Sequence, residues 1–512
     1  MDRPSNAAFT FAFVILLLSS VGWATAELDE KASRLADFAN DLPANLSVEN
    51  TSLNTTSVRF SVSGTIENNG DQDWELHLIS NHQDGTGWHY ERFLGLLQPG
   101  TSYELNQYFQ ATYSGKLQER TQYAVVAKGD AVNHGAYFWI NEDWNGYVRN
   151  TQGEFTDMAI VFVPVAGAVL LLIIIVLAEW AYTSQAKGEE EGEKEYTMRT
   201  FFIPHLQDQP FWVILADLLT HPLVWLLEMG ILGVMANSMW LELAARVPSP
   251  ASQTIWIMAM AAAALMPMIY FTLVWAYNEL YERMPLRFMM GMFIWGITAA
   301  SLALVLNTWQ SQALGAMFGL DSVMTAIVVM AVVAPFTEEF LKGLGLMAMR
   351  GHHEFDDALH GLHLGFAVGV GFAFVENWFY LASRTDPLSI GTSAWIGLAI
   401  YRSIFNALAH GSFSAVLGAG LGWAKSQKWG NFSILAFLPG LVMAVVLHSL
   451  FNLTALSDSF QALSSEYWVF GFNPIMTLTL VVILGLLAAG ATADYRRKRS
   501  EKLAKSMERM RR

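Results

Sequence analysis

The chain of 512 residues contains no cysteine. That absence excludes a disulfide framework, thiolate metal sites and a cysteine nucleophile together. Charge is scarce as well: 15% of residues are Asp, Glu, Lys or Arg, against about 25% in soluble domains. HExxH and GxSxG are both missing, so neither the common metalloprotease helix nor a serine nucleophile elbow is present. Asp217 and Asp321 fall at the edges of apolar runs, which leaves paired-aspartate chemistry inside a membrane without its two residues. Apolar residues fill the space left by charge. They make up 53% of the chain, mean hydropathy is +0.32, and runs of about 20 of them recur, long enough to cross a bilayer. The one basic stretch, residues 494–512, follows such a run as a short tail, so no nucleic-acid partner is indicated.

Composition divides the chain. Residues 1–26 carry Arg3, an apolar run from Phe9 to Val21, and Ala24-Thr25-Ala26. This reads as a signal peptide cleaved after Ala26, with an uncleaved anchor of the same orientation as the alternative. Residues 27–157 hold 19 acids and 8 bases. Alternation over Val58–Ile66 and Trp74–Ile79 predicts half-buried strands, and Asn68-Asn69-Gly70-Asp71 between them predicts a hairpin turn. Short punctuated strands continue to about residue 150, which predicts a small extracytoplasmic all-β, sandwich-like domain. Sequons at Asn45, Asn50 and Asn54 agree with exposure.

From Met158 onward nine helical spans are expected, near 158–181, 214–238, 253–277, 288–307, 322–349, 358–382, 394–424, 432–456 and 470–493. The fold class is therefore a polytopic α-helical membrane protein carrying the β-rich domain. Residues 158–287 would form accessory spans with an acidic cytoplasmic loop, 288–456 a functional core and 457–493 the last span, leaving 494–512 as a basic cytoplasmic tail. Loops on one side hold Lys187, Lys194, Arg199, Arg283, Arg287, Arg350, Lys425, Lys428 and the tail; those on the other hold only Arg246 and Arg384. By the positive-inside rule the β-domain lies outside the cell membrane and the C-terminus in the cytoplasm. The tail suits anionic lipid.

Ionisable residues in the middle of spans five to eight carry the functional signal. The fifth has Glu338-Glu339-Phe-Leu-Lys342, the sixth Phe372-Ala-Phe-Val-Glu376-Asn377, the seventh Arg402, Asn406 and His410, and the eighth His448 and Asn452. Each charged group costs about 2.5–3.5 kcal/mol at a helix centre if it faces lipid, so these groups are expected to face one another or a wet cavity. Lys342 can pair with either glutamate, while Arg402, Asn406 and His410 form one i, i+4, i+8 stripe. Lys342 and Arg402 read as charge partners, Phe372 as packing, and Glu228 as a helix-pairing or wet-face residue. His352, His353, His360 and His363 read as loop and cap residues rather than a second metal site. Converging carboxylates and imidazoles suit hydrolysis: a glutamate can deprotonate water, His and Glu can hold a divalent metal, and Asn452 can donate to an oxyanion.

These motifs resemble the PrsW family of intramembrane proteases. Glu338-Glu339-Phe-Leu-Lys342 is similar to its EExxK motif, and Phe372 to Glu376 to its FxxxE motif. His410 resembles its single-histidine motif, and His448 to Asn452 its HxxxD/N motif. The family is similar in turn to the type II CAAX prenyl endopeptidases and Abi proteins, whose EExxxR and FxxxH patterns fit less well. The resemblance implies that Glu338 and Glu339 activate water and that Glu376, His410, His448 and Asn452 line the site. A divalent metal, zinc first, would be held by Glu338, Glu376, His410 and His448; a metal-free glutamic mechanism stays open. Asn452 in place of aspartate is the poorer metal ligand. The expected activity is cleavage of a membrane-anchored protein in or near the bilayer, in regulated signalling, with the β-domain binding a protein or ligand. The rivals are a proton- or ion-coupled transporter using the same network, and an inactive scaffold. No internal repeat supports the transporter.

Overall fold

The computed structural model describes residues 31–456, apart from 53–57, 82–87, 112, 114–116, 130–132, 191–208, 248, 250, 280–284, 319–324, 326, 353–354, 386, 428–434 and 436, together with isolated positions beyond 456. The expected signal peptide, the ninth span and the basic tail lie outside the described residues, as does His353. The chain divides into two compact units, Met1–Thr156 with Pro387–Thr392, and Asp157–Asp386 with Ser393–Arg512.

The first unit is β-rich. Its strands are β1 (Phe38–Ala39), β2 (Ala44–Ser52), β3 (Val58–Glu67), β4 (Trp74–Asn81), β5 (His89–Leu97), β6 (Ser102–Ala111), β7 (Gln118–Lys128) and β8 (Asn133–Asp143). One sheet runs β1-β8-β7-β4-β5 and the other β2-β3-β6. The expected β3–β4 hairpin does not form, because the two strands belong to different sheets. Asn68-Asn69-Gly70-Asp71 is still a turn, but one that carries the chain from sheet to sheet. Asn68 Nδ2 donates to Gln72 O and Leu97 O, both at 2.8 Å, while Gly70 N–H donates to Asn68 Oδ1. Nor is β4 half-buried: it pairs with β5 and β7 and is buried on both faces. A helical turn at residues 31–35 covers Ile79, Ala124 and Val126 on one side of this sheet. On the other side Leu76, Leu78, Val125 and Ala127 are fully buried.

The second unit is helical. The helices are α1 (Asn145–Glu190, which begins in the first unit), α2 (Phe211–Leu219), α3 (Pro222–Arg246), α4 (Ala251–Glu279), α5 (Leu286–Phe318), α6 (Ala334–Met349), α7 (Ala358–Phe379), α8 (Pro387–Ile390, in the first unit), α9 (Thr392–Tyr401), α10 (Ala407–Ser426) and α11 (Phe437–Leu456). Among the described residues, six helical segments are long and apolar enough to cross a membrane: 145–183, 222–245, 251–277, 286–315, 358–384 and 392–426. Helices also occupy the expected fifth and eighth places. The expected second span is two helices. His221 caps α3 by accepting from Leu223 N–H, and Pro222 takes the first helical position, where its missing N–H costs nothing.

A π-helical turn, Val329–Val333, leads into α6. Pro335 supplies no N–H to the preceding turn, and Ala334 N–H reaches back five residues to Val329 O. The carbonyl of Met330 is thereby left without a donor from its own helix. Two more π turns, Tyr380–Arg384 and Arg402–Asn406, follow α7 and join α9 to α10.

Helix α7 is the buried centre of this unit. Gly361, Gly365 and Gly369 repeat every fourth residue, and a methyl at any of them would overlap the carbonyl oxygen of Gly418, Ser414 or His410 on α10. Small residues at this spacing let membrane helices approach backbone to backbone. Overpacking such a contact costs about 1–3 kcal/mol, so Gly365→Leu should lower the unfolding temperature in detergent by several degrees. Gly397→Leu should not, since among the described residues a Cβ there would meet nothing within 4 Å beyond its own helix backbone.

Candidate active site

The four motif segments converge. From α6, Glu339 and Lys342 are both fully buried, with Lys342 Nζ 2.6 Å from Glu339 Oε1. The pairing is forced locally, because residues three apart share a helix face and neither charge reaches water. Lys342 lies 3.9 Å above the ring of Phe372 and donates to His410 Nδ1 at 2.9 Å. Phe372, expected to pack only, is therefore a wall of the site and also lies against the His410 ring.

Glu376, on α7, is held from the seventh span by three groups. Arg402 Nη2 is 3.1 Å from Oε1, Asn406 Nδ2 is 3.1 Å from Oε2, and His410 Nε2 is 2.7 Å from Oε2. The π turn inserts one residue into the expected stripe, and all three side chains still reach one carboxylate. Asn377 stiffens the arrangement by donating to Arg402 O and accepting from Asn406. With Lys342 donating to Nδ1, the His410 proton belongs on Nε2, facing Glu376.

From α11, His448 Nδ1 lies 3.0 Å from Glu339 Oε1, and its other nitrogen, Nε2, lies 3.8 Å from Glu338 Oε2. The rings of His410 and His448 meet edge to face at 4.8 Å. Glu338 Oε1 accepts from Asn307 Nδ2 at 3.1 Å, whereas Oε2 is buried with no hydrogen-bond partner among the described residues. Glu339 is saturated by comparison, holding Lys342, His448 and the hydroxyl of Ser414.

Asn452 is not brought onto this cluster. Its Nδ2 donates to Met330 O at 2.8 Å, filling the carbonyl that the π turn before Pro335 leaves open. Glu228 is buried on α3, and its Oε2 has no hydrogen-bond partner among the described residues. In the histidine cluster, Asp357 caps α7 through Leu359 N and His360 N, His360 Nδ1 pairs with Asp356 at 2.8 Å, and His352 lies against the ring of Phe288. His352 follows α6, whereas His360 and His363 lie within α7 and the cap is Asp357; Asp356, Asp357 and His360 lie close enough together to hold an ion.

A divalent cation at this cluster would take the place of the Lys342 ammonium at His410 Nδ1, because Nε2 faces Glu376. One ligand atom each from Glu338, His410 and His448 lies within 4.8 Å of the others, a His₂Glu donor set found in catalytic zinc sites. Glu338 Oε2 is free to coordinate, and each imidazole has a carboxylate on a ring nitrogen, Glu376 for His410 and Glu339 for His448. Ligating histidines are oriented in that way. Glu376, expected as a ligand, stands instead behind His410 and is neutralised by Arg402.

Residues 284–487 match the family model described as PrsW family intramembrane metalloprotease. Over these residues the membrane region is similar to the PrsW family. Relatives named Protease PrsW include those of Halalkalibacterium halodurans, 29% identical over 147 residues (28% of this chain, 58% of the relative), and Geobacillus kaustophilus, 28% over 169 residues (31% and 68%). That of Oceanobacillus iheyensis is 30% identical over 119 residues (22% and 48%). The chain thus spans about half to two thirds of the length of these curated relatives. No solved structure matches. Together with the apolar helices, the PrsW match makes this an integral membrane protein.

Sequence reasoning missed Asn307 and Ser414. Asn307 coincides with the expected end of the fourth span, where an amide is unremarked, but α5 continues to Phe318. Serines in membrane helices commonly bond their own backbone, so nothing in the sequence singled out Ser414.

Proposed function

We propose that the chain is an intramembrane peptidase that hydrolyses peptide bonds of a membrane-anchored protein inside the helical unit. The observation that carries this reading is the buried oxygen of Glu338. Among the described residues the other carboxylates of the cluster are paired, whereas Oε2 is buried without a hydrogen-bond partner and faces His448 Nε2 across 3.8 Å. A proton-accepting base needs this kind of free lone pair. Glu338 Oε2 takes a proton from water while the water oxygen bonds to the scissile carbonyl carbon. The proton then passes to the departing amine nitrogen as the C–N bond breaks. His448 fixes the water, Glu339 fixes His448, and Glu376 fixes His410. Lys342 and Arg402 balance the buried negative charge. Asn452 has only its second N–H left for an oxyanion.

In the alternative, metal-dependent form of this reading, Glu338, His410 and His448 are the residues that would hold a divalent metal, zinc by donor type, and Glu338 Oε2 would then be a ligand in place of the base. When bound, such an ion supplies Lewis acidity, which makes water a stronger nucleophile at neutral pH. Nine spans, an outer β-domain that recruits substrate or senses a signal, and cleavage of a membrane-bound regulator belong to the same reading. The transporter alternative gains no support from the PrsW match.

The test is cleavage of a single-span substrate in proteoliposomes. The wild type should release fragments, and the transporter reading would be favoured by solute uptake with the substrate left intact. Chelation should reduce cleavage at least tenfold, with zinc restoring it. Full activity after exhaustive chelation would assign the chemistry to the glutamate alone.

A further inference from the structure

Asn307 lies on α5, outside all four motif segments, yet it touches the residue on which the proposed hydrolysis depends. Its Nδ2 donates to Glu338 Oε1 at 3.1 Å. One helical turn on, Gln310 Oε1 accepts from the hydroxyl of Thr337 at 3.1 Å. Residues three apart share a helix face, so α5 grips two consecutive residues of α6 through two polar contacts. Trp295, lower on the same helix, donates its indole N–H to Leu341 O at 3.0 Å and extends the grip along α6.

The consequence for Glu338 is specific. A carboxylate that can rotate presents either oxygen to its surroundings. Here one oxygen is occupied by the Asn307 amide, and the other is buried opposite His448, without a hydrogen-bond partner among the described residues. Among the described residues, the amide of Asn307 is the hydrogen-bond donor on Glu338 Oε1, whereas Glu339 is held by three groups. The carbonyl oxygen of the Asn307 side chain is itself buried without a hydrogen-bond partner among the described residues. The hydrogen bond that holds the amide among the described residues is the one to the Glu338 carboxylate.

We propose that Asn307 is a positioning residue of the active site. It pins one oxygen of Glu338 and so presents the other to the water and to His448. The inference rests on the assignment of Glu338 as the water-activating group and adds a residue from a helix that carries no family motif.

The test compares steady-state cleavage by the full-length chain in proteoliposomes for Asn307→Leu, Asn307→Gln, Thr308→Val and Glu338→Gln. Loss of a hydrogen bond to a charged, oriented group lowers turnover by roughly 10–100-fold. Asn307→Leu should show that loss in kcat with KM within about twofold, since substrate binding is not its task. Asn307→Gln keeps the amide donor and should recover much of the turnover. Thr308→Val, whose hydroxyl is spent on Leu304 O, should match the wild type. Wild-type kcat in Asn307→Leu beside an inactive Glu338→Gln would overturn the Asn307 assignment alone, as would equal losses in Leu and Gln variants. An active Glu338→Gln would overturn the active-site reading on which it rests.

Discussion

Glu338→Gln should reduce peptide-bond cleavage about 10³-fold, the middle of the range for a general base, while leaving the protein folded. The substitution replaces one oxygen by an amide of nearly the same size. The oxygen that remains can still accept from Asn307, so the α5–α6 contact survives, but the lone pair facing His448 is lost. Equal detergent-extracted yield, an unchanged unfolding temperature and loss of fragment release together give the expected pattern. Glu339→Gln should behave differently. It removes the counter-charge of a fully buried lysine, so activity and stability should fall together. If Glu338→Gln cleaved normally and Glu339→Gln alone were inactive, the roles of the two glutamates would be reversed.

Lys342→Met carries the second large effect. Removing one partner of a buried ion pair costs about 3–5 kcal/mol, because the other charge is left uncompensated. Glu339 would keep only the His448 and Ser414 contacts, and His410 would lose its donor on Nδ1. Thermal unfolding in detergent should show a drop of ten degrees or so for a loss of that size, with cleavage abolished. The double variant Lys342→Met, Glu339→Gln removes both charges and should regain part of the stability without activity. The coupling between the two sites should be well above the roughly 0.5 kcal/mol expected of independent positions. Additive losses would mean that the pair does not exist in the bilayer.

How much of this was legible depends on the type of signal. Charges within apolar runs are costly enough to be read directly, and Glu338, Glu339, Lys342, Glu376, Arg402, His410 and His448 meet as their positions in the sequence suggested. Roles within the cluster were not legible, because they depend on which oxygen meets which nitrogen. Glu376 serves His410, and Asn452 serves a backbone carbonyl. The latter follows from Pro335, whose missing N–H opens the preceding turn; a proline at that place is a visible clue, but its partner 117 residues later is not. In the β-rich unit, alternation found β3 and β4, yet a turn motif does not say whether the chain returns beside itself or crosses to another sheet. The break at His221-Pro222 was readable as a cap followed by proline, although apolar content alone merged the two helices.

The absence of cysteine from the chain makes the central claim directly measurable, since any introduced pair is the only pair of thiols. Glu338→Cys and His448→Cys, combined in one chain and treated in membranes with a short bifunctional thiol reagent, should give an intramolecular bridge visible by intact mass, absent from either single variant. Free access of both thiols to monofunctional reagent without any bridge would place the α6 and α11 residues apart and contradict a shared site.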